Sequence, residues 1–180
     1  MILPVVVVVI DGSNPDIGAD IAMANVIWNA HCGVFVDVVQ TLVVSAPALQ
    51  VLTQEDCLAA GHVVSDEEDD LYSIGRGLGT DVVAYYIHGS TFGDNVLGCA
   101  AHRPDRRGFW VVPSQFDFVW AHEAVHVVGD NPHDVQDRDN LMWPFASEVT
   151  NLPADLNETQ CQRILSDPAL LSIESIVLNL

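Results

Sequence analysis

The sequence contains no lysine, and arginine supplies all six basic residues of the 180-residue chain. With 25 Asp and Glu residues, the formal net charge is −19 at pH 7. The phosphates of nucleic acids and anionic membrane surfaces repel so acidic a protein, so we exclude both as partners. Two interpretations of the charge stay open: the acidic surface of an ordinary secreted protein, or an adaptation to high salt.

Long hydrophobic runs are also missing. The longest run ends at Ile10 after about ten residues, which is too short to cross a bilayer. Asp11 closes this run and no basic segment precedes it, so we predict no signal peptide in this chain. The apolar content of 49% and the mean hydropathy of +0.27 instead predict one globular domain over 1–180.

Cysteine is scarce, and the four cysteines include no CxxC pair, which excludes the metal and redox motifs built on that spacing. An even number of widely spaced cysteines is typical of two disulfides in an oxidising compartment, with buried free thiols as the alternative. We therefore expect a secreted or extracellular protein. The pairing that we favour joins Cys32 to Cys57 and Cys99 to Cys161.

Hydrophobic periodicity predicts mixed strands and helices over the first two thirds of the chain, followed mainly by coil. The predicted strands are 2–10, 34–44, 81–88, 96–101 and 109–112. The predicted helices are 15–32, 54–60, 115–128 and 158–165, the last opened by the cap residues Asn157 and Gln160. The acidic run at 65–70 is interpreted as a solvated loop, with a calcium site as the alternative.

One predicted helix carries the residues of a metal site. His122 and His126 lie one helical turn apart on the same face, so both imidazoles can bind one Zn²⁺. Glu123 projects beside the metal, where it can take a proton from a metal-activated water and pass it to a leaving amine. Gly129 can end the helix in the left-handed conformation and turn the chain, which brings His133 to the same cation. Three protein ligands and a water are typical of catalytic zinc sites.

The HExxHxxG motif that begins at His122, together with the NLMWP segment around Met142, resembles the metzincin zinc metalloendopeptidases. The resemblance implies an α+β, zincin-like single catalytic domain. Such a domain has a mixed twisted sheet, an active-site helix, a Met-turn and a C-terminal helix. Met142 would lie in the tight turn beneath the zinc.

The resemblance also implies a peptide or protein substrate that lies extended along an edge strand and is held by backbone pairing. We also expect a monomer. The strand before the active-site helix supplies the candidates, and an aromatic segment would wall an apolar pocket after the scissile bond. The candidate substrate-binding residues are Val96, Leu97, Gly98, Trp143, Pro144 and Phe145.

Two positions depart from the metzincin pattern. The third histidine normally follows the second by six residues, but Pro132 occupies that position and His133 comes one residue later. Asp130 and Asp134 therefore stay open as alternative ligands. A tyrosine found in some members, two residues after the methionine, is replaced here by Pro144.

Two rival functions and a second metal also stay open. A zinc peptidase of the other HExxH clan would use Glu148 as its third ligand. A non-catalytic, zinc-stabilised peptide-binding module would not need Glu123. An oxygen-rich loop is a candidate site for Ca²⁺, although its spacing differs from that of a calcium-binding helix–loop–helix. The residues of this loop are Asp134, Asp137, Asp139 and Asn140.

Overall fold

The computed structural model describes residues 1–53, 65–91, 96–101 and 107–172. Its strands are β1 (Ile2–Ile10), β2 (Phe35–Val44), β3 (Val51–Leu52), β4 (Val82–Tyr86), β5 (Gly89–Ser90), β6 (Gly98–Ala101) and β7 (Gly108–Val111). Its α-helices are α1 (Ile17–Cys32), α2 (Asp66–Ile74), α3 (Val119–Val127) and α4 (Glu158–Leu165). Short 3₁₀ helices span Pro47–Leu49 and Ala146–Glu148.

Five of these strands form one mixed sheet in the order β2-β1-β4-β7-β6. The first four in this order are parallel, and β6 runs antiparallel to β7 at the edge. The valines of β1 are buried on both faces, because α1 and α3 cover one side and α2 covers the other. The expected mixed sheet and its five predicted strands are confirmed.

Side chains cap α1, α2 and α4, whereas α3 has no such cap, and both α1 and α3 start later than predicted. In α4, Asn157 and Gln160 form the predicted capping box. In α3, the first helical residue is Val119 and not residue 115, because Ser114, whose hydroxyl could cap a helix that begins at 115, does not do so. The Ser114 hydroxyl instead accepts a hydrogen bond from the Phe116 amide at 3.1 Å. The helix predicted at 54–60 lies outside the described residues.

The acidic run at 65–70 is not a loop, so that prediction is wrong. Ser65 caps α2, because its hydroxyl accepts a hydrogen bond from the Glu68 amide at 3.2 Å. Carboxylates in a first helical turn are favoured by the partial positive charge of the helix N-terminus. Glu68 is buried and accepts a hydrogen bond from the Trp110 indole at 2.8 Å. The run therefore begins a helix that packs on the sheet.

The favoured cysteine pairing is wrong as well. Cys32, the last residue of α1, is bonded to Cys161 in α4 across 129 residues of sequence. The pairing follows from packing, because α1 and α4 lie against each other beside the sheet. Cys99 is also disulfide-bonded, and Cys57 lies outside the described residues.

An ion pair fixes the point where the chain leaves α3. The Arg107 guanidinium donates to both carboxylate oxygens of Asp167, at 2.8 and 2.5 Å, and to the Val127 carbonyl at 2.6 Å. The same carboxylate accepts a hydrogen bond from the Gly129 amide at 2.9 Å. The start of β7, the end of α3 and the C-terminal segment are thereby joined. Among the described helices, none is long and apolar enough to cross a bilayer.

Candidate metal centre

Three histidine side chains meet at one point beside α3. The Nε2 atom of His122 lies 3.2 Å from that of His126 and 3.3 Å from that of His133. Two nitrogens bound to one tetrahedral Zn²⁺ at 2.0–2.1 Å lie about 3.3–3.4 Å apart. The separations therefore fit zinc, and the structure brings the displaced third histidine to the predicted pair.

Backbone carbonyls hold two of these rings in the form that a metal requires. The Nδ1 atom of His122 donates to the Leu141 carbonyl at 2.6 Å, and that of His126 donates to the Asn131 carbonyl at 2.6 Å. A carbonyl oxygen only accepts, so the proton of each neutral ring lies on Nδ1 and Nε2 keeps its lone pair. Lone pairs that converge without a proton between them are the donor set of a cation site.

Burial favours the neutral form of His122 and His133. The pKa of His122 is lowered to about 4, mainly by burial and to a smaller extent by the nearby His133, while the bond to the Leu141 carbonyl acts in the opposite direction. Burial also lowers the pKa of His133. Because metals bind the neutral imidazole, little proton release from His122 accompanies metal binding at neutral pH.

Glu123 follows the first histidine and is buried beside β6. Burial raises the pKa of its carboxyl group to about 8, from 4.5. A group that ionises near neutral pH is suited to general acid–base catalysis. A divalent cation held by the adjacent histidines would favour the ionised form of this carboxyl and so lower its pKa.

Gly129 makes the turn that returns His133 to the helix. Its φ of 89° is one that side-chain-bearing residues rarely adopt. A Cβ atom there would also lie 2.7 Å from backbone atoms of Arg163 and Ile164 in α4. Both the conformation and the close approach therefore require glycine. The prediction that Gly129 ends the helix is confirmed, since α3 ends at Val127.

The segment around Met142 is bonded to both sides of the histidine group. Its Leu141 carbonyl orients His122, and the Met142 carbonyl accepts a hydrogen bond from the Asp134 amide at 2.9 Å. Met142 itself is fully buried in the same apolar cluster as α3. The Asn140 side chain accepts a hydrogen bond from the Met142 amide at 2.9 Å, which closes the turn.

The alternative ligands have other partners or lie elsewhere. The Asp134 carboxylate accepts a hydrogen bond from the Gln136 amide at 2.9 Å, and Glu148 forms an ion pair with Arg138 at 3.7 Å. Within the described ranges, the three histidines are the one group of metal-ligating side chains that converges. Neither Asp130, Asp134 nor Glu148 belongs to it.

In the candidate calcium loop, carboxylates accept hydrogen bonds from groups of the protein itself. Asp137 accepts a hydrogen bond from the Asp139 amide at 3.0 Å. Asp139 in turn accepts hydrogen bonds from the side chains of Thr150 and Asn151. No calcium-type group is found in the part of the chain that the structure describes, either here or at 65–70.

The predicted substrate-binding residues lie in two places. Gly98 begins the edge strand, which packs beside α3, and the half-buried Val96 and Leu97 precede it. The aromatic segment follows the Met142 turn, where the Trp143 and Phe145 rings lie 6.4 Å apart. The intervening Pro144 is half-buried, and the Arg138 guanidinium stacks 5.4 Å above Trp143. Their role in binding stays a prediction.

Sequence reasoning missed the polar residues that hold the ligands in place. The Asn140 and Gln160 side chains are buried and joined by two reciprocal amide hydrogen bonds of 3.0 and 2.9 Å. The carbonyls of Leu141 and Asn131 orient the imidazoles. Gln160 was recognisable only as a cap, and a backbone carbonyl leaves no sequence signal.

Comparison with known proteins gives structural matches alone. No family model and no curated protein matches the sequence. Metalloproteinase-II from Bacteroides fragilis superposes with a TM-score of 0.63 at 16% identity, over 91% of this chain and 52% of that one. Archaemetzincin from Methanopyrus kandleri superposes with a TM-score of 0.56 at 16% identity, over 91% of this chain and 93% of that one. The chain thus spans about half the length of the Bacteroides protein. With its mostly parallel twisted sheet, it has the zincin-like metallopeptidase fold of these two structures.

Proposed function

We propose that this chain is a zinc-dependent endopeptidase of the metzincin type. His122, His126 and His133 would hold Zn²⁺, and Glu123 would serve as general base and then general acid. The observation that carries the proposal is the convergence of three Nε2 atoms next to a buried carboxyl group. The fold shared with two metalloproteinase structures supports it.

The chain's own contribution to the reaction is proton transfer and positioning. Zinc, when bound, polarises a carbonyl group and lowers the pKa of a water molecule. Glu123, in its ionised form, accepts a proton from the attacking water and donates that proton to the leaving amine nitrogen. The amine leaves with this proton, and the acyl part leaves as a carboxylic acid that gives up the second proton of the water to the amine or to solvent at neutral pH, so no bond to the protein forms.

The substrate that we propose is an extended peptide lying along the edge of β6. Backbone pairing with Val96 to Gly98 would hold it, because an edge strand offers its outer hydrogen-bonding groups to another chain. The aromatic residues Trp143 and Phe145 would favour an apolar side chain after the scissile bond. We expect a monomer, and the Cys32–Cys161 disulfide supports a secreted or extracellular location.

The substitution Glu123→Gln tests the proposal, because it removes the base and leaves the three histidines. We expect zinc content to stay at one per chain, while the rate of casein cleavage falls by at least about a hundredfold. The control is Glu148→Gln, which removes an exposed carboxylate of the rival ligand. Unchanged cleavage by Glu123→Gln at full zinc content would contradict the mechanism.

The third ligand is tested separately, by the zinc affinity of His133→Ala. Loss of one of three protein ligands is expected to weaken zinc binding by at least about a hundredfold. Unchanged affinity would point to Asp130 or Asp134 instead. Loss of zinc in Glu148→Gln would favour the rival clan, and zinc binding without cleavage in the native chain would favour a peptide-binding module.

A further inference from the structure

The space where a side chain of Gly98 would lie is filled by Glu123. A Cβ atom built on Gly98 would lie 2.6 Å from Cγ, 2.9 Å from Cδ and 2.7 Å from Oε1 of Glu123. These are its three nearest atoms, and all belong to the proposed base. The first residue of the edge strand is therefore in direct contact with the carboxyl group.

The backbone does not explain the glycine. Gly98 pairs with Val111 in a regular antiparallel register, and its φ is not among the positive values of this chain. Glycine weakens a strand, because it leaves the backbone free in the unfolded chain and adds no side chain to the packing. What glycine provides at this position is room for the Glu123 side chain.

The helix cannot easily withdraw to make that room. Glu123 follows His122, whose ring is fixed by its bond to the Leu141 carbonyl, and it precedes the fully buried Ala124 and Val125. A side chain at position 98 would therefore displace the carboxyl group by rotating the Glu123 side chain, rather than by moving α3 as a whole. The zinc ligands would keep their places.

We propose that Gly98 is a positioning residue that seats the Glu123 carboxyl group against the edge strand. The inference rests on the proposed function, since it makes the same strand hold both the substrate backbone and the base. Gly98 would then fix the distance between the Glu123 carboxyl group and the scissile bond of a peptide that is bound to the same strand. A methyl group at position 98 would break this arrangement without touching the metal site.

Kinetics of Gly98→Ala give the first test. Because small displacements of a reacting group are costly, we expect kcat for a casein substrate to fall about 10–100-fold. We expect the KM to change less than about threefold, since the backbone groups of the strand remain. Zinc content should stay at that of the native chain. The control is Gly89→Ala in β5, where an added Cβ meets nothing within 4 Å. A native kcat in Gly98→Ala would overturn the proposal.

A double-mutant cycle on thermal unfolding gives a second test that needs no catalysis. With Glu123 present, Gly98→Ala should lower the midpoint of the zinc-loaded protein by about 2–4 °C. In a Glu123→Ala background the contacting atoms are gone, so the same substitution should have little effect. An equal loss in both backgrounds would show that the glycine serves something other than Glu123. Because this cycle does not depend on cleavage, an inactive chain would disprove the proposed function and leave the contact testable.

Discussion

At the scale of single residues, the burial of Glu123 makes the stability of the metal-free protein depend on pH. Burial raises the pKa of its carboxyl group from 4.5 to about 8. Between these values the folded protein holds a proton that the unfolded chain has released. The stability contributed by this group is thus fully present below about pH 4.5, and it is lost as the pH rises through about 8.

The substitution Glu123→Gln should remove that loss. Without metal at pH 8.5, the variant should be more stable than the native chain by on the order of a few kcal/mol. Near pH 4.5 the two should be nearly equal. Urea unfolding with a chelator present, over this pH range, measures the difference. His122, whose pKa is lowered to about 4, is present in both proteins, so its contribution to the pH dependence of stability does not affect the difference between them. A difference that does not vary with pH would contradict the explanation.

The residue scale is also where the sequence was most informative. The helical repeat places His122 and His126 on one face, and Gly129 gives a physical reason for His133 to return. Both follow from local geometry, because the histidines are only four and seven residues apart along the chain. The contact between Gly98 and Glu123 joins a strand to a helix, and no local pattern predicts it.

At the scale of elements, α4 holds the turn that orients the first ligand. The Gln160 side chain is bonded twice to Asn140, and Asn140 fixes the amide of Met142. The carbonyl just before Met142, that of Leu141, accepts the Nδ1 hydrogen bond of His122. Gln160 in α4 therefore supports the orientation of His122 through the turn that contains Asn140 and Met142.

Replacing Gln160 by leucine should weaken zinc binding by about 10–100-fold, which is the usual cost of losing the groups that support a ligand. Competition with a chromophoric chelator measures the dissociation constant. Gln162→Leu is the matched control, because Gln162 is an exposed residue of the same helix, bonded to Glu158. Equal zinc affinity in the two variants would argue against this role of Gln160.

Two predictions at this scale were wrong, the loop at 65–70 and the cysteine pairing. Ser65 and Glu68 carry the signature of a helix start, yet the charge of the run favoured a loop, because six polar residues in a row show no apolar periodicity. The cysteine pairing failed for a related reason. Cys32 and Cys161 meet because two helices pack together, and spacing along the chain does not contain that information.

At the scale of the whole molecule, the net charge of −19 should influence which peptides reach the site. An acidic protein attracts cationic substrates over a range set by the ionic strength, about 8–10 Å at physiological salt. At low ionic strength we expect kcat/KM to be about tenfold higher for a basic peptide than for a neutral peptide with the same residues around the scissile bond. Measuring kcat/KM for both peptides from low to high salt tests this prediction. If the ratio of the two values did not depend on salt, the prediction would be contradicted.

The most direct test of the central claim is X-ray absorption at the zinc edge of the zinc-loaded protein. The three converging Nε2 atoms predict three imidazole ligands at about 2.0–2.1 Å and one oxygen ligand from water. In such a site the position held by water is the one that substrate can approach, as catalysis requires. A shell of four protein ligands, or one that contains sulfur, would contradict the claim that His122, His126 and His133 form a catalytic zinc site.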